Sequence, residues 1–390
     1  MTSESKNGTL YIYPAGRIDS TNASLYDDEF AGCISGTAHT KTVIDCEKLD
    51  YVSSAGLRVI LKLKKTEPSL SLVNVNPELY GIFEMTGFTE LMSITKAYRV
   101  ISIDGCEEIG KGANGKVYRL DPDTIIKVYS NPDSLPDIKR ERELARRAFI
   151  LGIPTAIPYD VVKVNDSYGS VFELLNARSF AKLFAQEPEN TDKYVRMYID
   201  LLKKIHSTKV SGEDMPDMKA TALKWVEFTK GYLPAGTYDK LKALFCDIPT
   251  TDNMLHGDYH IKNVMLQNGE ALLIDMDTLC VGHPVFELAS MYNAYKGFYE
   301  LDRNAIRSFL GIDYETSCRI WELSLSCYFG TDDKTVINEV ENKAKLIGFI
   351  KILRRSIRRN LLADEAGQKA ADYYISEICR LTELLDSLSF

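Results

Sequence analysis

One stretch constrains this chain more than any other: His256-Gly-Asp-Tyr-His-Ile-Lys-Asn-Val-Met-Leu266, followed by Leu272-Leu-Ile-Asp275-Met-Asp277. Gln267-Asn268-Gly269, between two apolar runs, reads as a hairpin turn. Asp258, Asn263 and Asp275 fall around it at separations of five and twelve residues. Two carboxylates and an amide bracketing such a turn suit phosphoryl transfer. Asp258 would accept the proton of an attacking hydroxyl, while Asn263 and Asp275 offer the hard oxygens that Mg²⁺ takes. Asp275 follows Leu272-Leu-Ile274 and so projects from a strand end. Asp277, two residues on, faces the same side of any continuing strand. His256 and His260 read as loop architecture, hydrogen-bonded to backbone or to Asp275, in preference to a zinc site.

A phosphate cradle is legible upstream. Gly110-Lys-Gly112-Ala-Asn-Gly115-Lys-Val117 nearly fits GxxxxGK[ST], but Val117 stands where that loop needs a hydroxyl. It also fits GxGxxGxV through Gly110, Gly112, Gly115 and Val117. Context favours the second form, because residues 117–120 and 125–129 read as a hairpin turning at Asp121-Pro-Asp123, whereas a Walker loop opens a helix. Ile125-Ile-Lys127-Val128 then places a lysine in an apolar strand, where its charge needs a partner. The alternative is an edge strand with Lys127 in solvent. Glu141, eleven residues before Gly152 on the following helix, is the expected partner, with Glu143 as the fallback.

With 390 residues, the chain is long enough for two domains. Residues 1–98 read as an α/β unit. Strands are expected at 9–13, 42–46 and 70–74, and helices at 22–34, after Ser53-Ser54, and at 78–86. The apolar side of the middle helix should carry Leu57, Ile60, Leu61 and Leu63. Residues 104–390 form the second unit, with a sheet-rich lobe to about 175 and a helical lobe over about 176–390. Helical periodicity marks 137–151 and 191–206 and dominates after Asp277. No Pro/Ser/Gly-rich linker separates the units, so they are expected to lie close together.

Two resemblances follow from these motifs. Gly16-Arg-Ile-Asp19, the strand at 42–46 and Ser53-Ser-Ala-Gly-Leu57 resemble the STAS domains of anti-sigma-factor antagonists. In that family the loop reads Asp-Ser-Ser-Gly and its first serine is phosphorylated. Counting back from Gly56 puts Ser54 in that place and Ser53 where the aspartate would be. The plainer reading is that Ser53 or Ser54 caps the helix. Residues from about 104 resemble the aminoglycoside phosphotransferase and choline kinase superfamily. The carriers are the glycine loop, Lys127, His256–Asn263 and Ile274-Asp-Met-Asp277…Gly282-His-Pro284…Glu287-Leu-Ala289. The resemblance implies a bilobal protein-kinase-like fold of α+β class with ATP, or GTP, between the lobes. Val171-Phe-Glu173-Leu-Leu175 would be the hinge, with Glu173 and Leu175 offering backbone groups to the base. Glu287 stands where the family usually has aspartate.

No Ala-Pro-Glu-like segment follows Asp275, which favours a small-molecule acceptor of the aminoglycoside, sugar or amino alcohol class. The competing reading is a nucleotide-binding or protein-phosphorylating module that signals to a protein partner through the STAS-like unit. Tyr292, Tyr295, Phe298 and Tyr299 read as core, with a cation–π wall as the alternative. Lys351-Ile-Leu-Arg-Arg-Ser-Ile-Arg-Arg359 reads as a solvated basic face or as a site for an anionic substrate. The net charge of −8 argues against a nucleic-acid partner. Eight scattered cysteines, a polar N-terminus and no apolar run of membrane length point to a cytoplasmic chain without a membrane span.

Overall fold

The computed structural model describes residues 1–112, 115–211 and 215–390. The chain forms two compact units, Met1–Ser102 with Val161–Asp166, and Ile103–Asp160 with Ser167–Phe390.

The first unit contains, in chain order, β1 (Thr2–Lys6), β2 (Thr9–Tyr13), β3 (Ala15–Ile18), α1 (Ala23–Ser35), β4 (Lys41–Asp45), β5 (Lys48–Val52), α2 (Ser54–Thr66), β6 (Ser71–Val75), α3 (Pro77–Met85), α4 (Phe88–Leu91) and β7 (Ile94–Lys96). The main sheet has the order β1-β2-β4-β6-β7, and β3 and β5 pair separately. Only β1–β2 is antiparallel; the later strands run parallel because a helix intervenes between them. Leu10, Ile12, Ile44, Leu72 and Val75 bury the core. On α2 the fully buried side is Val59, Ile60 and Leu63, while Leu57 and Leu61 pack at its margin. The expected stripe is therefore rotated toward Val59. Ser53 occupies the N-cap of α2, its hydroxyl accepting from the N–H groups of Ala55 and Gly56 at 3.2 and 3.5 Å. Ser54 is the first residue of the helix and is exposed.

The second unit opens with β8 (Glu108–Lys111), β9 (Gly115–Arg119), β10 (Thr124–Tyr129), α5 (Leu135–Ile150), the first residues of β11 (Pro158–Val164, whose residues from Val161 belong to the first unit) and β12 (Ser167–Glu173). β10 lies between β9 and β12, antiparallel to both, so Lys127 is on an inner strand, opposite Val117 and Ser170. The helical part follows: β13 (Arg178–Ser179), α6 (Phe180–Gln186), α7 (Thr191–Ser207), α8 (Met218–Phe228), α9 (Ala235–Asp247), β14 (Met254–Leu255), β15 (Val264–Gln267), β16 (Glu270–Leu273), β17 (Cys280–Val281), α10 (Val285–Tyr295), α11 (Ala305–Leu310), α12 (Tyr314–Phe329), α13 (Lys334–Arg358) and α14 (Glu365–Leu384). Every residue of α10 is buried, and the helix packs along α13. Trp321, Tyr198, Tyr259, Tyr292, Tyr295 and Phe349 are almost wholly enclosed. Each such side chain contributes roughly 1.5–3 kcal/mol of hydrophobic stabilisation. Among the described residues no helix is long and apolar enough to cross a membrane.

The cap predicts an asymmetry between the adjacent serines. Ser53→Ala should destabilise the first unit by about 1 kcal/mol, whereas Ser54→Ala should change its stability little. Far-ultraviolet circular dichroism during urea denaturation of the full chain checks this, since Trp225 and Trp321 both lie in the second unit and their fluorescence would miss the first. Equal effects of the two substitutions would contradict it.

Candidate active site

The site is organised by the β15–β16 hairpin. Val264 pairs with Leu273 and Gln267 with Glu270, leaving Asn268 and Gly269 in the turn at φ of 50° and 83°. Both central residues of such a turn need positive φ, which Asn-Gly tolerates. The register carries Asn263 and Ile274 to one end of the hairpin, where Ile274 N–H donates to the Asn263 carbonyl at 2.9 Å. The Asn263 side-chain amide, buried, donates to the Asp258 carbonyl at 3.0 Å. Asp275 adopts a left-handed conformation with φ 64° and ψ 74°. That backbone costs on the order of 1 kcal/mol outside glycine and redirects the chain. The strand stops there: Asp277 lies in a 3₁₀ turn, Met276–Thr278, and not on a continuing strand.

Lys127 is the meeting point. Its ammonium lies 3.0 and 3.2 Å from the two carboxylate oxygens of Glu141, and 2.7 Å from Asp275 Oδ1. Glu141 is buried on α5 and also accepts from the Tyr129 hydroxyl. Glu143 instead faces outward, bonded to Arg146 and Arg147. Burial opposes the charge on Lys127, but Glu141 and Asp275 more than compensate and raise its pKa above the usual lysine range. Burial, then the charges of Asp275 and Glu141, push Asp277 up to about 7. Two carboxylates thus hold one ammonium, with Asp277 near enough to feel their charge.

Asp258 lies apart from this cluster, with its side chain 49% exposed. Burial pushes its carboxyl up, but the hydrogen bond and charge of His260 and the charges of Lys351 and His256 bring it down to about 2. His260 Nε2 is 3.5 Å from Asp258 Oδ2. His256 uses Nε2 against the Ile274 carbonyl at 3.3 Å and Nδ1 as acceptor for the Asp258 N–H at 3.3 Å. Both imidazoles therefore serve the loop.

Of the glycine loop, Gly110 is in β8, opposite Val117, and Gly115 begins β9; Ala113 and Asn114 lie outside the described residues. The loop leads into a strand, so its context is a hairpin and not the start of a helix. Gly112 N–H donates to the Gly115 carbonyl at 2.9 Å. A Cβ at Gly115 would come within 2.1 Å of the Val128 carbonyl oxygen, so this position admits only glycine. Gly110 and Gly112 have no comparable neighbour. Glu173 ends β12, its N–H bonded to the Ile157 carbonyl at 3.2 Å, and half-buried Leu175 follows two residues later.

Residues 105–318, more than half the chain, match the phosphotransferase enzyme family. The chain belongs to that family. Residues 1–100 match the STAS domain, and a protein of Bordetella bronchiseptica named as an anti-sigma factor antagonist, BtrV, is 30% identical over 101 residues, covering 25% of this chain and 86% of its own length. The phosphotransferase shares its fold with a thermostable mutant of the aminoglycoside phosphotransferase APH(4)-Ia, at TM-score 0.50 and 12% identity, over 72% of this chain and 97% of that one. A choline/ethanolamine kinase family protein from Mesorhizobium loti also aligns, at TM-score 0.44 and 16% identity, over 71% of this chain and 88% of that one. The protein is thus a member of the phosphotransferase enzyme family that carries an N-terminal STAS domain.

Two residues of the phosphotransferase matter more than its sequence suggests. Glu287, on the first turn of α10, is fully buried and accepts hydrogen bonds from the N–H groups of His256, Gly257 and Tyr259. Burial pushes its carboxyl up, but His206, His256 and the Gly257 N–H hold it below the usual range. The loop that carries Asp258 is therefore wrapped around one carboxylate. Gly257, at φ 84°, permits this: a Cβ there would lie 2.4 Å from the Thr278 carbonyl oxygen. Tyr259 anchors the other side, its hydroxyl donating to the Tyr198 carbonyl at 2.5 Å. The second residue is Lys351, which lines a cavity of about 500 Å³ together with Asp258. Of the four aromatics, Tyr292, Tyr295 and Tyr299 are core and Phe298 is half-buried; Phe298 and Tyr299 also line this cavity.

Glu287→Ala should leave three loop N–H groups without their acceptor and lower stability by about 3 kcal/mol. Urea denaturation followed by tryptophan fluorescence measures this; a loss below about 1 kcal/mol would mean that the loop holds without the carboxylate.

Proposed function

We propose that this chain transfers the γ-phosphoryl group of ATP, with Mg²⁺, to a hydroxyl of a small molecule. The observation that carries the reading is Lys127 held between Glu141 of α5 and Asp275 at the hairpin exit. A lysine so oriented presents its charge to the α- and β-phosphates, as in protein kinases and their relatives. GTP is the alternative nucleotide. The glycine loop Gly110–Val117 would cover the phosphates with backbone N–H groups, and the chain at Glu173–Leu175 would meet the base.

Asn263 and Asp275 would hold Mg²⁺. Among the described residues no three His, Cys, Asp or Glu side chains are grouped to bind a metal by themselves. This agrees with Mg²⁺ chemistry, in which one or two protein oxygens suffice and phosphates and water complete the octahedron. The ion would neutralise charge on the β- and γ-phosphates. Asp258, ionised at neutral pH, would orient the acceptor hydroxyl and take its proton. Phosphoryl transfer needs mainly positioning and charge neutralisation, so the rigid loop around Glu287 matters as much as the base itself.

A second reading is favoured by one observation, the STAS domain at the N-terminus. Under it the kinase unit would act on, or signal through, a protein partner recruited by that domain, with exposed Ser54 as the phosphoacceptor. Incubation with γ-labelled ATP separates the two: label in a small product supports transfer to a metabolite, and label on Ser54 supports the second.

Asp258→Asn should lower kcat in a nucleotide-consumption assay with added acceptor by about 10²-fold or more, the usual contribution of a positioned base. Unchanged turnover would contradict the assignment.

A further inference from the structure

The cavity beside Asp258 has a charge pattern that the family assignment does not supply. Lys351, Arg355 and Arg359, on and just beyond the last turns of α13, line it, and Asp258 is its one carboxylate among the described lining residues. None of the three cations has a carboxylate within ion-pair distance among the described residues, whereas Lys343 and Lys345 of the same helix do. Lys351 donates to the Ser290 hydroxyl at 2.9 Å and lies 5.7 Å from the Trp225 ring centre. The Arg355 guanidinium lies 5.0 Å from the Phe298 ring centre. Burial lowers the pKa of both groups. Lys351 is half-buried without a carboxylate partner, which is costly, and an anion held between it and the exposed Arg355 relieves that cost.

This arrangement disfavours a polycationic acceptor, which would meet three positive side chains and one negative. Of the lining rings, Phe298 already carries Arg355 and Phe309 carries Lys262. We propose that the acceptor is an anionic hydroxyl compound whose phosphate or carboxylate is held by Lys351 and Arg355, with its hydroxyl toward Asp258. The guanidinium offers a planar pair of donors suited to either anion. Phe298 and Tyr299 supply an apolar wall for the carbon skeleton. The inference rests on Asp258 facing the acceptor, and deepens that reading by naming the acceptor's charge.

The test is equilibrium titration of the full chain, saturated with ADP and Mg²⁺, with inorganic phosphate, acetate and tetramethylammonium in turn. At least one anion should bind, and Arg355→Ala and Lys351→Met should each weaken it by about tenfold, the scale of one charged hydrogen bond. Phosphate binding alone identifies a phosphorylated acceptor, and acetate binding alone a carboxylate. Tetramethylammonium should not bind. Absence of binding by both anions, affinities unchanged in exposed Arg355→Ala, or tighter binding of tetramethylammonium would overturn the inference. Failure of ADP to bind would instead overturn the nucleotide reading, and the anion titrations on the ADP-free chain would still be decisive for this one.

Discussion

The Lys127 ammonium is the interaction on which the site depends. It sits on an inner strand, where a charge is tolerated only with partners. Those partners come from α5, 14 residues away, and from the hairpin exit, 148 residues away. Much of the surrounding architecture serves that convergence. Tyr129 fixes Glu141 from the next-but-one position of the same strand. The hairpin register and the left-handed Asp275 aim a carboxylate back at the strand. Since removing one member of a buried ion pair leaves an uncompensated charge, the three groups are interdependent in stability as well as in role.

Two electrostatic neighbourhoods adjoin the Asp258 loop. Around Lys127 the balance is negative, with Glu141 and Asp275 both paired to one cation and the Asp277 carboxyl raised by their charge. In the cavity shared with Asp258 the balance is positive, through Lys351, Arg355 and Arg359. The loop between them is kept rigid by a neutralised interior: Glu287 collects three N–H groups, and Tyr259 is enclosed against Tyr198. Under the proposed function that rigidity has chemical value, because a displacement of even 1 Å of a positioned base costs much of its effect.

What the sequence disclosed was mostly local. Asn268-Gly269 marks its own turn, so Asn263 and Asp275 could be grouped from spacing alone. An apolar strand interrupted by Lys127 announces a charge that needs a partner, and helical periodicity offered Glu141 and Glu143. The choice between them required knowing which face of α5 is buried. Glu287 was visible only as a departure from a family pattern, because its role depends on the backbone of a loop some 30 residues away. The basic run 351–359 was ambiguous for a similar reason: an amphipathic pattern does not say which of its charges meets solvent and which enters a cavity. That Tyr292 and Tyr295 are enclosed while Phe298 lines the cavity likewise depends on packing against α12 and α13. Asp277 left its expected strand because Asp275 took a backbone conformation that period-two reasoning cannot foresee.

The most direct measurement is a crystal structure of the full chain with a non-hydrolysable ATP analogue and Mn²⁺, located by its anomalous signal. The account predicts the metal about 2.1 Å from oxygens of Asp275 and Asn263, with Lys127 on the α- and β-phosphates and the γ-phosphate facing Asp258. A nucleotide bound without contact to Lys127, or a metal bound away from Asp275, would contradict it.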